Sequence, residues 1–238
     1  MSILILKILI CLIFGILSFY FRILDLTGAI SAVAIGMAIV VTEGFRWFFL
    51  LFIFLFIGAI VTRYGHNFKK RRLLERKSRK ASNVIANGII PAFIALFSFY
   101  LNKDLSIPFV ASISVALSDT MASEIGVFSN NTYLITNLKK VSPGTNGAIS
   151  LLGETVAVIG AFIISISAYF LMGINIYQIF LCAFLGIVGC HIDSFLGATF
   201  QGKGKGTMNS SDAILNNSDV NLVSISIVAL IAFVIIIL

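Results

Sequence analysis

Long apolar blocks separated by short polar segments run along most of the chain. They predict membrane-spanning helices, because a helix needs about 20 apolar residues to cross roughly 30 Å of hydrocarbon. The predicted spans cover residues 3–21, 27–42, 46–62, 83–101, 106–127, 148–172, 176–199 and 219–238. The second and third blocks are short and form, in the alternative, one hairpin or a re-entrant element. The pattern therefore predicts an all-α, polytopic transmembrane helical bundle of about seven or eight spans, with residues 1–238 as a single integral membrane domain.

Composition excludes a water-soluble fold. The chain is 59% hydrophobic and only 11% charged, against roughly 25% charged residues in soluble domains. Its three cysteines, Cys11, Cys182 and Cys190, lie inside apolar blocks without metal-ligand spacing. We therefore expect packing roles for them, and neither disulfides nor a zinc site.

Lysine and arginine are distributed very unevenly between the two faces of the predicted bundle. With eight spans, one face carries 14 of the 17 basic residues, and the opposite loops carry only Arg46 and Lys103. Because cytosolic loops retain positive charge, the basic face is predicted to be the cytosolic face of the cell membrane, with both termini outside. The basic loop at residues 68–80 is expected to contact membrane lipid headgroups, with Arg79 or Lys80 reaching an anionic substrate as the alternative. The loop lacks interleaved aromatics, so no nucleic-acid partner is expected.

Four polar clusters interrupt the apolar pattern, each at the predicted cytosolic end of a span or in the adjoining loop. They occupy residues 82–88, 117–126, 139–147 and 191–203. In the first cluster, Asn83 and Asn87 are four residues apart and share one helix face. Clustering at one interface is the main functional signal of the sequence.

The second cluster places two carboxylates and two hydroxyls on one side of a helix. At 100° per residue, Asp119, Thr120, Ser123 and Glu124 fall within about 140°. An ionised carboxylate inside a span costs roughly 2.5–3.5 kcal/mol at the bilayer centre and less near an interface. These groups, with Glu154 of the sixth span and Asp193 of the fourth cluster, therefore need a metal, another cation or one another. The alternative is helix–helix hydrogen bonding with snorkelling toward water.

The third cluster has the features of an anion-binding loop. Its candidate residues are Lys139, Lys140, Gly144, Thr145, Asn146 and Gly147. The glycines let backbone N–H groups approach an anion, and the amino end of the following helix adds a positive dipole. A phosphate would suit this loop.

The fourth cluster combines Asp193 and Ser194 on one helix face with Lys203 just beyond it. Its D-[ST]-x-x-[SG] pattern repeats that of the second cluster, but five positions do not establish an internal repeat. His66 and His191 have no second histidine at ligand spacing, so both are expected to be structural or interfacial.

Taken in order, five strings resemble a family of integral membrane proteins that includes plant phytyl-phosphate kinase and the animal transmembrane-19 proteins. The strings are NVIANG (83–88), SDTMASEIG (118–126), VSPGTNGAISLLG (141–153), DSFLGATFQG (193–202) and NNSDVNL (216–222). After Gln201 the chain reads GKGKGTMNSSD, where many relatives carry a stretch with Cys and His. The plant members are similar in chemistry to CTP-dependent polyprenol kinases. The resemblance implies a membrane kinase that transfers a phosphoryl group from a nucleoside triphosphate, expected to be CTP, to an isoprenyl monophosphate.

The implied chemistry gives each cluster an expected role. Asp119, Glu124 and Asp193 are the predicted catalytic residues and ligands of Mg²⁺ or another divalent cation, which is typically held by one or two carboxylates and substrate phosphates. The predicted substrate- and nucleotide-binding residues are Asn83, Asn87, Thr120, Ser123, Lys139, Lys140, Gly144, Thr145, Asn146, Gly147, Ser194 and Lys203. The prenyl tail would lie between apolar spans. A homo-oligomer is compatible with the sequence.

Two other functions use similar parts. A transporter also has polar breaks and glycines in its spans, but its site usually lies near the membrane midplane, whereas these clusters lie near one interface. A cytidylyltransferase acting on a lipid phosphate differs from a kinase only in its product. A purely structural membrane protein explains the spans but leaves the carboxylates without a purpose.

Overall fold

The computed structural model describes residues 2–65, 69, 81–201 and 214–237. Its helices, which confirm the expected all-α polytopic bundle, are α1 (Ser2–Tyr20), α2 (Leu26–Thr42), α3 (Phe45–Arg63), α4 (Ala81–Leu101), α5 (Ser106–Ile125), α6 (Leu151–Met172), α7 (Ile176–Phe200) and α8 (Asn217–Ile237). Each predicted span coincides with one helix. The ends agree to within about three residues, since the apolar blocks and their polar breaks mark them clearly.

Within the described ranges, six helices are long and apolar enough to cross a membrane, namely α1, α3, α4, α6, α7 and α8. α2 is a shorter apolar helix of 17 residues. α5 is the exception, because serines recur along it and Asp119 and Glu124 lie near its end. A helix that is surrounded by protein needs no continuous apolar surface, and α5 is such a helix.

α5 forms the centre of the bundle. Every residue from Ser106 to Ser118 is buried, and α5 packs against α3, α4, α6, α7 and α8. Two of its buried hydroxyls find partners on α6: Ser114 Oγ donates to the carbonyl of Ala161 (3.2 Å) and Ser118 Oγ to that of Ala157 (2.8 Å). Buried polar groups need such bonds, which here join the two helices.

A glycine on α7 allows α7 to approach α5 closely. A Cβ added at Gly189 would lie 2.2 Å from Cγ2 of Val115. Small residues at helix interfaces are typical of membrane bundles, since they let backbones meet where lipid supplies no hydrophobic driving force. α1, in contrast, packs mainly on α2 and is the least buried of the six apolar helices.

The connection between α5 and α6 carries the only strands in the described residues. After a 3₁₀ turn at Gly126–Phe128, β1 (Tyr133–Leu134) pairs antiparallel with β2 (Ala148–Ile149). The sixth helix therefore begins later than the predicted residue 148. Ser150 ends the strand and caps α6, its Oγ accepting a hydrogen bond from the N–H of Gly153 (3.1 Å).

Candidate functional site

One end of the bundle contains a large polar cavity. It lies between the carboxyl ends of α5 and α7, the amino ends of α6 and α8, and the loop before β2. Its empty space, including the part open to solvent, is about 1060 Å³. Its polar and charged lining residues are Lys69, Asp119, Ser123, Glu124, Thr132, Thr145, Asn146, Ser150, Glu154, Asp193, Ser194, Gln201 and Asn217.

The structure brings most of the predicted site residues to this polar cavity. Those that line it are Asp119, Ser123, Glu124, Gly144, Thr145, Asn146, Gly147, Asp193 and Ser194. The predicted residues that do not line it are Asn83, Asn87, Thr120, Lys139 and Lys140. Lys203 lies outside the described residues. Residues of the second, third and fourth sequence clusters thus line the same cavity, whereas Asn83 and Asn87 of the first cluster do not.

The two predicted lysines of the loop lie away from the cavity. Lys139 and Lys140 are exposed, and Nζ of Lys140 donates to Oδ1 of Asn131 (3.2 Å). The cause is local, because the backbone of Lys139 bonds to Leu134 and that of Lys140 bridges to β1, at the outer end of the hairpin. Thr120 is buried within the helix bundle.

Two carboxylates meet on the cavity wall. Asp193 on α7 and Asp119 on α5 line the same wall close enough for their carboxyl groups to interact, and Ser224 Oγ on α8 donates to Asp193 Oδ2 (3.0 Å). Two like charges at contact in a low dielectric repel unless they share a proton or a cation. Because both groups line an open cavity, this pair fits a divalent cation completed by phosphate oxygens.

Glu124 is held by a different partner. Nζ of Lys69 donates to Glu124 Oε2 (2.7 Å) and to the carbonyls of Val61 (3.0 Å) and Thr62 (3.2 Å). An ammonium has three donors, so all three are used. Lys69 therefore neutralises Glu124 and binds the last carbonyls of α3.

The three predicted metal carboxylates consequently do not form one cluster. No group of three or more His, Cys, Asp or Glu side chains arranged to hold a metal is found in the described ranges. Only Asp119 and Asp193 meet. The sequence offered no signal for Lys69, which is one of nine basic residues between positions 63 and 80.

A second ionic contact joins α6 and α7 beside the cavity. His191 Nε2 lies 3.2 Å from Glu154 Oε2, and His191 Nδ1 lies 2.9 Å from the carbonyl of Ile187. Glu154 lines the cavity whereas His191 does not. The contact is consistent with the expected structural role of His191, and it ties the amino end of α6 to the carboxyl half of α7.

The loop of the third cluster rests directly on α7. Gly147 has φ +70°, and a Cβ there would lie 2.4 Å from Cβ of Ala198 and 2.5 Å from the carbonyl oxygen of Ser194. A turn closes the loop, with Thr145 donating through its N–H (3.1 Å) and its hydroxyl (2.7 Å) to the carbonyl of Ser142. This packing presents Thr145 and Asn146 to the cavity beside Ser194.

Gly147→Ala is expected to displace this loop from α7. The left-handed backbone costs about 1–2 kcal/mol and the overlap about 1–3 kcal/mol. Gly173→Ala is the matched control, because Gly173 has φ +75° with no atom within 4 Å of its Cβ position. Thermal unfolding in detergent should show the larger loss for Gly147→Ala. Equal losses would mean that the contact with Ala198 carries no energy.

A chain of amide side chains links α4 to α8. Asn87 Nδ2 donates to the backbone carbonyl of Asn83 (2.8 Å). Asn221 Nδ2 donates to Asn87 Oδ1 (3.4 Å), and Asn217 Nδ2 donates to Asn221 Oδ1 (3.3 Å). Asn87 and Asn221 are buried. Asn87 therefore joins two helices instead of lining the polar cavity.

Sequence reasoning did not assign the polar face of α8. Asn217, Asn221 and Ser224 are spaced four and three residues apart, which places them on one helix face. This spacing at the start of an otherwise apolar helix was the signal that could have identified them. On this face, Ser224 donates a hydrogen bond to Asp193 and Asn217 lines the polar cavity.

Comparison with known proteins agrees with the motifs. The family described as Integral membrane protein DUF92 matches residues 9–229. An uncharacterized membrane protein of Methanocaldococcus jannaschii is 37% identical over 205 residues, covering 85% of this chain and 82% of its own. No solved structure matches the chain.

Two plant proteins are also similar. Protein PGR of Arabidopsis thaliana is 31% identical over 247 residues, covering 85% of each chain. The chloroplastic protein VTE6 of the same plant is 27% identical over 219 residues, covering 88% of this chain and 64% of VTE6. These matches confirm the resemblance to plant members that the five strings indicated. With nearly its whole length matched, the chain belongs to the integral membrane protein family DUF92.

Proposed function

We propose that the chain is a membrane kinase that transfers the terminal phosphoryl group of a nucleoside triphosphate, with CTP as the expected donor, to an isoprenyl monophosphate. The observation that carries the proposal is the contact of Asp119 with Asp193 on the wall of a cavity beside a glycine-containing loop. Similarity to plant relatives, among them VTE6, supports the same class of activity.

The reaction asks mainly for positioning and charge neutralisation. An isoprenyl monophosphate already carries its nucleophilic oxygen as an anion, so no strong general base is required. A phosphate oxygen of the acceptor attacks the γ-phosphorus, the bond from that phosphorus to the β-γ bridging oxygen breaks, and the products are isoprenyl diphosphate and a nucleoside diphosphate. The protein's task is to hold two polyanions close together.

Asp119 and Asp193 are the residues that would hold Mg²⁺. When bound, this ion supplies positive charge to the phosphate oxygens. Ser224 orients Asp193 by donating to Oδ2. Glu124, already paired with Lys69, holds that lysine at the cavity wall instead.

The loop at residues 142–147 and the amino end of α6 would bind the phosphates of the nucleotide or acceptor. Residues 144–147 of the loop and Gly153 at the amino end of α6 line the same cavity as the carboxylate pair. Backbone N–H groups and the helix dipole favour anions at such a place. Lys69 has no donor left for phosphate, so Lys203 remains the predicted cation. The connection from α3 to α4 at the same bundle end is rich in Lys and Arg, and we propose that this face is cytosolic.

The test is a direct product assay. Purified protein in detergent would be incubated with Mg²⁺, CTP or ATP, and geranylgeranyl or phytyl monophosphate, and the lipids analysed by mass spectrometry. The expected product is the lipid diphosphate, with one nucleoside diphosphate formed per molecule. A CDP-lipid with release of pyrophosphate would instead identify a cytidylyltransferase. Folded protein that forms neither product would contradict both enzymes and direct attention to transport.

A further inference from the structure

A second cavity, with walls almost entirely apolar, lies between α1, α2, α3 and α4. Its empty space, including the part open to the surroundings, is about 640 Å³. Aromatic rings line it from two helices, Phe14 on α1 and Phe48 and Phe52 on α3. Water finds few polar partners in such a place, so an apolar cavity among membrane-spanning helices suits hydrocarbon.

A row of hydrogen-bonded asparagines on α4 and α8 lies between the apolar cavity and the polar cavity. Asn83, in the first turn of α4, lines the apolar cavity, and its carbonyl accepts the hydrogen bond of Asn87. From Asn87 the chain continues through Asn221 to Asn217, which lines the polar cavity. A short row of hydrogen-bonded amides therefore separates the two cavities at the same end of the bundle.

α1 forms the outer wall of the apolar cavity. Cys11, Phe14 and Ser18 line the cavity, while Ile13 and Ile16 on the other side of the helix are 52% and 66% exposed. One helix, α1, therefore separates this side of the cavity from the surroundings. Of the two polar residues at the edge of the cavity, Ser18 is near the end of α1 and Asn83 near the start of α4.

We propose that this apolar cavity binds the isoprenyl chain of the lipid whose phosphate enters the polar cavity. The inference rests on the proposed function and extends it to the tail of the substrate. A polyprenyl monophosphate joins a dianionic head to a methyl-branched hydrocarbon, and the two adjoining cavities match these two chemistries. Because the bilayer is as apolar as the cavity wall, hydrophobicity alone does not favour transfer from lipid. Any preference for the isoprenyl chain over lipid must therefore come from its fit to the cavity wall.

Ala32 offers the means to fill the cavity. It lines the cavity from α2, whereas Ala34 on the same helix is exposed. Ala32→Phe places a ring in the space that the chain would occupy, and Ala34→Phe adds the same ring on the lipid side. From the opposite wall, Leu55→Trp fills the cavity, with Phe56→Trp on the exposed side as its control.

The experiment is photo-crosslinking in liposomes of phosphatidylcholine. A geranylgeranyl monophosphate analogue with a diazirine near the end of its chain would be photolysed with each variant, and the labelled peptides mapped by mass spectrometry. We expect label on α1–α4, competition by unlabelled geranylgeranyl monophosphate, and a loss of about tenfold in Ala32→Phe and Leu55→Trp. The two control variants should label as wild type does. Size-exclusion chromatography would establish that every variant is folded.

The outcomes separate this inference from the proposed function. Three results would overturn the proposed isoprenyl-chain site. They are labelling confined to α5–α8, labelling unchanged in both cavity-filling variants, and labelling that unlabelled geranylgeranyl monophosphate does not reduce. If the same preparation forms diphosphate and gives any of these results, the kinase activity is supported and the isoprenyl-chain site is refuted. Label in the cavity without diphosphate formation, with any nucleotide, would refute the kinase and retain the chain site.

Discussion

Asp119→Asn is expected to lower kcat/KM for diphosphate formation by roughly 10³-fold, which corresponds to about 4 kcal/mol of transition-state stabilisation. The substitution removes one charge of the pair that Asp119 forms with Asp193 at the cavity. Asparagine has nearly the same shape, so packing around the side chain is retained while the affinity for a divalent cation falls. The measurement is the initial rate of lipid diphosphate formation over a range of Mg²⁺ concentrations.

Asp104→Asn is the matched control for this experiment. It makes the same change at the other end of the same helix, where Asp104 Oδ1 accepts a hydrogen bond from the N–H of Ser106 (2.8 Å). Asp104 precedes the N-cap residue Leu105 and does not line the polar cavity. The side-chain oxygen of asparagine can accept the same bond, so activity should stay within about twofold. If Asp119→Asn retained activity comparable with this control, the carboxylate pair would have no part in the chemistry. A raised Mg²⁺ requirement with residual turnover would point to the metal-binding role specifically.

Lys69→Met is expected to destabilise the protein by about 3–5 kcal/mol, the usual cost of removing one partner of a buried ion pair. Lys69 and Glu124 are only 4% and 14% exposed. The substitution leaves Glu124 without its cation and the carbonyls of Val61 and Thr62 without their donor. Thermal or denaturant unfolding in detergent measures the loss.

The double variant Lys69→Met with Glu124→Gln tests the pairing itself. Neutralising Glu124 removes the stranded charge, so the double variant should be more stable than Lys69→Met alone by about 1 kcal/mol or more. Lys140→Met serves as control, because Lys140 is exposed and bonded to Asn131; its effect should stay within about 0.5 kcal/mol. A double variant no more stable than Lys69→Met would show that the two side chains are not coupled.

The helices could be located from the sequence because one physical requirement dominates. Each span must present apolar residues over the thickness of the hydrocarbon, and the polar breaks at residues 22–25, 102–105 and 173–175 leave little freedom in where a helix ends. The start of α6 was placed three residues too early. Ala148 and Ile149 are apolar, yet they pair with β1, and hydropathy alone does not distinguish a short strand from the first turn of a helix.

The members of the site could be identified only in part. Asp119 and Asp193 stand out as charges inside apolar helices, and such residues need partners whatever the fold. Lys139 and Lys140 stand out equally, yet the hairpin carries them outward. Asn87 shares a helix face with Asn83 and donates to its backbone carbonyl, yet the side chain that it bonds to is Asn221 on another helix. Helical spacing reports which residues share a face, and it does not report what that face meets.

The sequence by itself determined that this protein is a helical membrane protein, because hydropathy and charge act locally along the chain. That its polar residues carry out chemistry at one membrane interface stays a prediction. The tertiary structure alone decided which polar groups meet. Asp119 meets Asp193, Glu124 is neutralised by Lys69, and the loop at Gly147 rests on α7. Each of these contacts depends on which helices are neighbours, and lipid-facing and protein-facing apolar surfaces look alike in a sequence.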